Sequence, residues 1–216
     1  MNNNICILSD FDGTITEKDG LYTFIKLYAK GNWEEIEQLW VDGKISSKEC
    51  LTEEFKLIPN LSEKLICDFI QTMNIDSCFT DFYNSISELN IDFYIVSDGL
   101  DYFIEKILNK YNLNNLKIIS NHAEFEKNKF NITFPNDFKG CVNNAGTCKC
   151  KILTNLRKKY EKIIYIGDGT SDFCVSDKAD ILFAKSGLAK FASEKNIKYF
   201  QFNNFSDIKK TMLNIT

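Results

Sequence analysis

Two carboxylates leave the end of one apolar run together, where Ile5-Cys6-Ile7-Leu8 leads into Ser9-Asp10-Phe11-Asp12-Gly13-Thr14. A strand alternates its faces, so a strand ending near Asp10 delivers both acids from its carboxyl end. Gly13 then allows a sharp turn. Open α/β sheets bind ligands at that edge. Like charges about 4 Å apart repel by roughly 4 kcal/mol at an effective dielectric near 20, so the pair predicts a bound cation, a shifted carboxyl pKa, or both. A lone Asp-x-Asp is as readily a solvated turn, but two further segments share its form. Ile163-Ile164-Tyr165-Ile166 runs into Gly167-Asp168-Gly169-Thr170-Ser171-Asp172, and Tyr94-Ile95-Val96 into Ser97-Asp98-Gly99. Three apolar strands with polar, glycine-bearing tips predict one sheet edge on which they converge.

The pattern between Thr14 and the next strand is helical. Apolar stripes mark helices over Asp19 to Lys30 and Trp33 to Trp40, the capping box Ser46-x-x-Glu49 opens a third through Leu57, and Ser62 caps a fourth. Residues 16–79 therefore read as a four-helix cap inserted into a core made of 1–15 and 80–216, with the stripes forming the insert's own core. After a helix from Thr80 to Leu89, strands at 91–96, 116–120, 162–166, 180–184 and 197–201 alternate with helices near 101–110, 150–160, 170–178, 187–195 and 205–213. Glu124 to Phe134 reads as a β-hairpin arm. The fold class is α/β, a doubly wound, mainly parallel, Rossmann-like sheet.

A chain of 216 residues buries roughly 70% of its unfolded surface and needs no disulfides. A net charge of −4, with no basic cluster interleaved with aromatics, argues against nucleic acid or an anionic membrane as partner. No apolar run reaches the ~20 residues of a membrane span, and no leader precedes the first strand, so the expected location is the cytoplasm. The eight cysteines suit a reducing compartment as small hydrophobes. Cys141-x6-Cys148-x-Cys150 is the one cluster, open to three readings: packing, a labile disulfide or a metal.

Asp10-x-Asp12-Gly13-Thr14, Ser97, a lysine, and Gly167-Asp168-Gly169-x-x-Asp172, in that order, resemble the four motifs of the haloacid dehalogenase (HAD) superfamily of phosphatases, in its phosphoserine-phosphatase-like branch. Asn121-His122-Ala123-x-Phe125 and Lys139-Gly140-x6-Thr147-Cys148-Lys149 extend the likeness to the methionine-salvage phosphatases and to the phosphoethanolamine/phosphocholine phosphatases. The likeness spans nearly the whole chain. It implies a HAD-like core with a helical cap, and it specifies the superfamily rather than the substrate.

The expected chemistry is hydrolysis of small phosphomonoesters, with water or another alcohol accepting the phosphoryl group. Aspartate is an attested phosphoryl acceptor, and Asp10 is assigned as the nucleophile. Asp12 would protonate the leaving alcohol and then deprotonate the attacking water; the family implies the same two roles. Mg²⁺ suits an all-oxygen site, with Asp10 and Asp168 as ligands and, by resemblance, the main-chain carbonyl of Asp12. Asp172 is expected to orient a metal-bound water or the lysine. Thr14 and Ser97 offer hydroxyls to the phosphate, and N–H groups near Gly99 an anion nest. Of Lys149 and Lys151, Lys149 is preferred, because an aliphatic residue, Leu153, lies four places on as in the family pattern. Asp98 stands where many relatives carry glycine and is read either as a cap for the 101–110 helix or as a contact to substrate; Asp19 is read in the same two ways. His122 is expected to be structural. A signalling receiver domain would also use a phospho-accepting aspartate and a lysine, but such domains lack the Asp12 position and the helical insertion. The partner is a small phosphorylated metabolite, and the oligomeric state is left open.

Overall fold

The computed structural model describes residues 4–141 and 143–215. Strands β1 (Ile5–Ser9), β2 (Asp92–Leu100), β3 (Lys117–Glu126), β4 (Lys129–Thr133), β5 (Lys162–Gly167), β6 (Ile181–Ala184) and β7 (Phe200–Gln201) form one sheet in the order β4-β3-β2-β1-β5-β6-β7. Every pairing is parallel except β3 with β4. The uninterrupted apolar runs follow from burial on both faces. Cys6 and Leu8 of β1 and Ile163 and Tyr165 of β5 enter one core cluster; Ile7, Ile164 and Ile166 enter the other. β1 sits at the point where the chain order reverses, β2 on one side and β5 on the other, which places the ligand crevice at its carboxyl end.

Between β1 and β2 run α1 (Gly20–Tyr28), α2 (Trp33–Val41), α3 (Ser47–Lys56), α4 (Glu63–Thr72) and α5 (Phe79–Glu88). Their starts follow local chemistry. The Asp19 carboxylate accepts from the N–H of Tyr22 at α1, both bonds of the Ser46–Glu49 capping box form at α3, and the Ser62 hydroxyl accepts from the N–H of Leu65 at α4. The stripes of these helices do not close on one another, contrary to the expected separate core. Phe24, Phe55 and Phe69 share one cluster with Phe103 of α6 (Asp101–Asn109) and with Ile7 and Ile95 of the sheet. Phe24 stands edge-on to Phe69 at 4.9 Å and to Phe103 at 5.0 Å, and Phe55 meets Phe130 of β4 at 5.3 Å. The opposite face is covered by α7 (Lys149–Leu156) and α8 (Ser186–Glu194), and α9 (Phe205–Ile215) closes the first.

Four expectations shift. The strand at 116–120 and the first half of the hairpin are one continuous strand, β3, so the arm extends the sheet instead of leaving it. The helix expected near 150–160 spans Lys149–Leu156, and the last strand shortens to Phe200–Gln201. No helix spans 170–178: Thr170–Asp172 is a 3-10 turn, and the N–H groups of Phe173, Val175 and Lys178 each bond three residues back. Among the described residues, no helix is long and apolar enough to cross a membrane.

Removing the Phe24 ring should leave a cavity in a seam shared by α1, α4 and α6. Phe24→Ala is expected to lower unfolding free energy by about 3–5 kcal/mol in urea titrations. A loss under about 1 kcal/mol would mean that the seam is loosely packed.

Candidate active site

The three polar tips meet at the carboxyl end of the sheet. Asp10 follows β1 directly, and its N–H is held by the Ile166 carbonyl of β5 at 2.9 Å. Lys149, the first residue of α7, reaches between two acids: its Nζ lies 2.8 Å from Asp10 Oδ2 and 2.6 Å from Asp172 Oδ1. It also donates to the Ser171 hydroxyl at 2.9 Å. All three charged side chains are at most 8% exposed. Burial works against the ammonium charge, but Asp10 and Asp172 more than offset it and hold Lys149 above the ordinary lysine range. Lys151, the alternative, instead stands over the Phe138 ring at 4.9 Å. Asp10 is pushed up by burial and by its acidic neighbours Asp172 and Asp168, with Lys149 pulling the other way.

The four acids divide by how much of their oxygen is used. Asp172 is saturated: Oδ1 accepts from Lys149 and from Tyr165 Oη, and Oδ2 from the N–H groups of Asp168 and Gly169. Asp168 Oδ1 accepts from Thr14 Oγ1 at 2.7 Å, while Oδ2 takes no hydrogen bond from the described residues. A side chain at Gly13, whose φ is +71°, would stand 2.6 Å from that oxygen. Asp10, Asp168 and Asp172 each present an oxygen within 4.8 Å of the others. An all-oxygen donor set with one open carboxylate oxygen fits a hard divalent cation. Asp172 is the least suited to ligation, since its lone pairs are already engaged.

Asp12 is tied to the start of α1. Its Oδ1 accepts from the N–H of Gly20, the first residue of α1, at 2.8 Å. Its other oxygen lies beside Gly99, where a Cβ would approach it to 2.7 Å. Burial and the Asp19 charge push Asp12 up to about 8, so it holds a proton at neutral pH. Ser97, Asp98 and Gly99 fall where β2 slips out of register with β3, between Val96 and Leu100, and this bulge turns them out of the ladder. Ser97 Oγ accepts from the N–H of Gly99 at 2.9 Å.

Asp98 caps no helix: the residue ahead of α6 is Leu100, which gives no side-chain cap. Its carboxylate instead accepts from the Thr147 N–H at 2.8 Å and from Asn121 Nδ2 at 3.0 Å, and it lines a cavity together with Asp10, Asp12 and Asp168. Asp19 both caps α1 and stands at the cavity rim. His122 pairs with Asp101 at 2.5 Å, away from the cavity. All eight cysteines are free thiols. Cys150 donates to the Cys174 carbonyl at 2.8 Å, and Cys141, Cys148 and Cys150 are not gathered into a metal-type group.

Several residues here carried no readable signal. Tyr165 looks like one more apolar strand residue until its hydroxyl is found on Asp172. Ser171 lies inside a motif turn and meets both Lys149 and Asp10. Lys185 reaches the Thr14 carbonyl at 3.3 Å, close enough to feel the Asp168 charge. Trp40 and Glu37 of α2 and Cys50 and Glu54 of α3 line the cavity that opens over Asp10 and Asp168.

Asp168 illustrates how the site titrates. Burial raises it from 3.8 to about 6, a proton that the folded chain keeps and the unfolded chain releases in that window. Its contribution to stability is therefore complete below the unfolded value and lost as pH rises through the folded one. Asp168→Asn keeps the uncharged form throughout. In EDTA, its Tm should gain on the wild type between about pH 4 and 7, on the order of 5 °C. Thermal melts showing a flat or shrinking difference would contradict this.

Comparison with known proteins agrees with the geometry. A 2-hydroxy-3-keto-5-methylthiopentenyl-1-phosphate phosphatase of Brevibacillus brevis is 32% identical over 210 residues, covering 96% of this chain and 95% of its own. One from Bacillus cereus is 30% identical over 208 residues, covering 95% and 94%. A HAD-family hydrolase from Salmonella enterica serovar Typhi superposes with a TM-score of 0.73 at 22% identity, covering 94% of this chain and 68% of its own. A substrate-bound phosphoserine phosphatase superposes with a TM-score of 0.69 at 18% identity, covering 98% and 99%. These solved structures share the fold. A family described as "Putative Phosphatase" matches residues 5–205, so the chain belongs to that family and is a phosphatase on the HAD fold.

Proposed function

We propose that this phosphatase hydrolyses small phosphomonoesters through a phosphoryl group carried on Asp10. The observation that carries the reading is Lys149, locked between Asp10 and Asp172, with an open oxygen of Asp168 alongside. The lysine pulls Asp10 toward its charged form, against the burial and acidic neighbours that push it up. Asp10, Asp168 and the Asp12 carbonyl would hold Mg²⁺, which would supply positive charge against the phosphate. Asp10 attacks phosphorus as the bond to the leaving alcohol breaks. Asp12, protonated at neutral pH and aimed by Gly20, gives its proton to that alcohol and then takes one from the water that cleaves the aspartyl-phosphate. The Ser97 hydroxyl, which accepts from the Gly99 N–H, would donate to the phosphate oxygens, and Thr14 acts through its bond to Asp168.

Residues 16–79 serve as the cap in this reading. They wall off a cavity of about 190 Å³, small beside ordinary drug-sized pockets, which excludes macromolecular esters. The phosphate ester named for the two salvage phosphatases is the lead candidate for this chain. Its thioether-ended chain suits Leu21, Tyr22, Trp40 and Leu51.

The test is inorganic phosphate release across a panel of small esters. Asp10→Asn should lose roughly 10⁴-fold or more in kcat with its circular dichroism unchanged, and EDTA should silence the wild type until Mg²⁺ is restored. Undiminished turnover by Asp10→Asn would remove the covalent route.

A further inference from the structure

The far wall of the cavity differs chemically from its phosphate end. Glu37 and Trp40 of α2 and Cys50 and Glu54 of α3 form it, in one continuous space with Asp10 and Asp168. Glu37, Cys50 and Glu54 bring their polar atoms within 4.8 Å of one another. The Cys50 thiol donates toward Glu37 Oε2 at 3.6 Å, and an oxygen of Glu37 lies within 4.8 Å of one of Glu54. Two carboxyls so placed share a proton: burial, and then the Glu37 charge, push Glu54 up to about 8. Burial and the same two carboxyls keep the Cys50 thiol protonated, so it donates a hydrogen bond instead of binding metal as thiolate.

What this wall lacks matters equally. Among the described residues lining the cavity there is no lysine, arginine or histidine. Lys149 is committed at the phosphate end between Asp10 and Asp172. A substrate carboxylate would lose water on entering, face a carboxyl pair, and find no counter-charge. A hydroxyl or ammonium would instead donate to Glu37, and a hydroxyl would also accept a hydrogen bond from the protonated Glu54.

We infer that Glu37 and Glu54 select the substrate by the charge of its leaving group. They admit phosphomonoesters whose alcohol part is uncharged or cationic and carries a hydrogen-bond donor, and they reject those carrying a carboxylate. The inference rests on the phosphatase chemistry proposed above and adds to it residues that never touch the reacting atoms.

The experiment compares four esters of one length: n-butyl phosphate and its analogues ending in hydroxyl, ammonium or carboxylate. With the Mg²⁺-loaded wild type, kcat/KM for the carboxylate ester should be at least tenfold below that for the hydroxyl ester. In Glu37→Gln/Glu54→Gln the ratio should shrink to within about threefold. The ratio is unaffected by how much protein folds, and Glu37→Gln alone supplies a milder variant should the double one lose its fold. A wild-type ratio near one, or a ratio unchanged in the variants, would overturn the inference. Hydroxyl against ammonium turnover then shows which donor is preferred. Failure to release phosphate from these four and from the whole ester panel would instead overturn the phosphatase chemistry itself.

Discussion

A single buried ammonium organises this molecule. Taking charges out of water costs several kcal/mol per ion unless geometry and further hydrogen bonds compensate. Lys149 meets that condition with two carboxylates and a hydroxyl, each at 2.6–2.9 Å. Its partners come from distant parts of the chain: Asp10 after β1, and Ser171 and Asp172 in the turn after β5. The first residue of α7 is thus fixed to the sheet edge, and the three segments are held in mutual register. Without the ammonium, Asp10, Asp168 and Asp172 would stand close together with no fixed charge between them.

The same arrangement gives each acid different neighbours. Asp172 spends all its lone pairs on Lys149, Tyr165 and two backbone N–H groups, and so becomes scaffold. Asp168 keeps an oxygen open. Asp12 is turned away from the lysine toward the start of α1, where burial keeps it protonated. Four carboxyls within one small volume thereby meet different neighbours, and this is what sets them apart. The helices between β1 and β2 take part directly, because α1 aims Asp12 and α2 and α3 supply the opposite wall.

Much of this was legible in the residues, for identifiable reasons. Apolar runs ending in Asp10, Ser97 and Asp168 are strand-and-tip patterns, and they appear as β1, β2 and β5 side by side. Caps at Asp19, Ser46 and Ser62 begin helices where local hydrogen bonding says they should. What was not legible depends on contacts distant in the chain. The 170–178 segment has helical spacing, yet the Asp172 carboxylate folds back onto Asp168 and Gly169, and the backbone continues in three-residue turns. Asp98 is positioned by Asn121 and Thr147, which no local rule connects to it. Glu37 and Glu54 look like solvated helix residues until α2 and α3 pack side by side and bring them together.

The account stands or falls on whether Asp10, flanked by Lys149 and Asp168, is the atom that receives phosphorus. A crystal structure with Mg²⁺ and beryllium trifluoride tests this most directly. It should show the beryllium bonded to an Asp10 oxygen, Lys149 in contact with the fluorides, and the metal held between Asp10 and Asp168. Beryllium fluoride bound elsewhere, or a metal seated away from both aspartates, would contradict it.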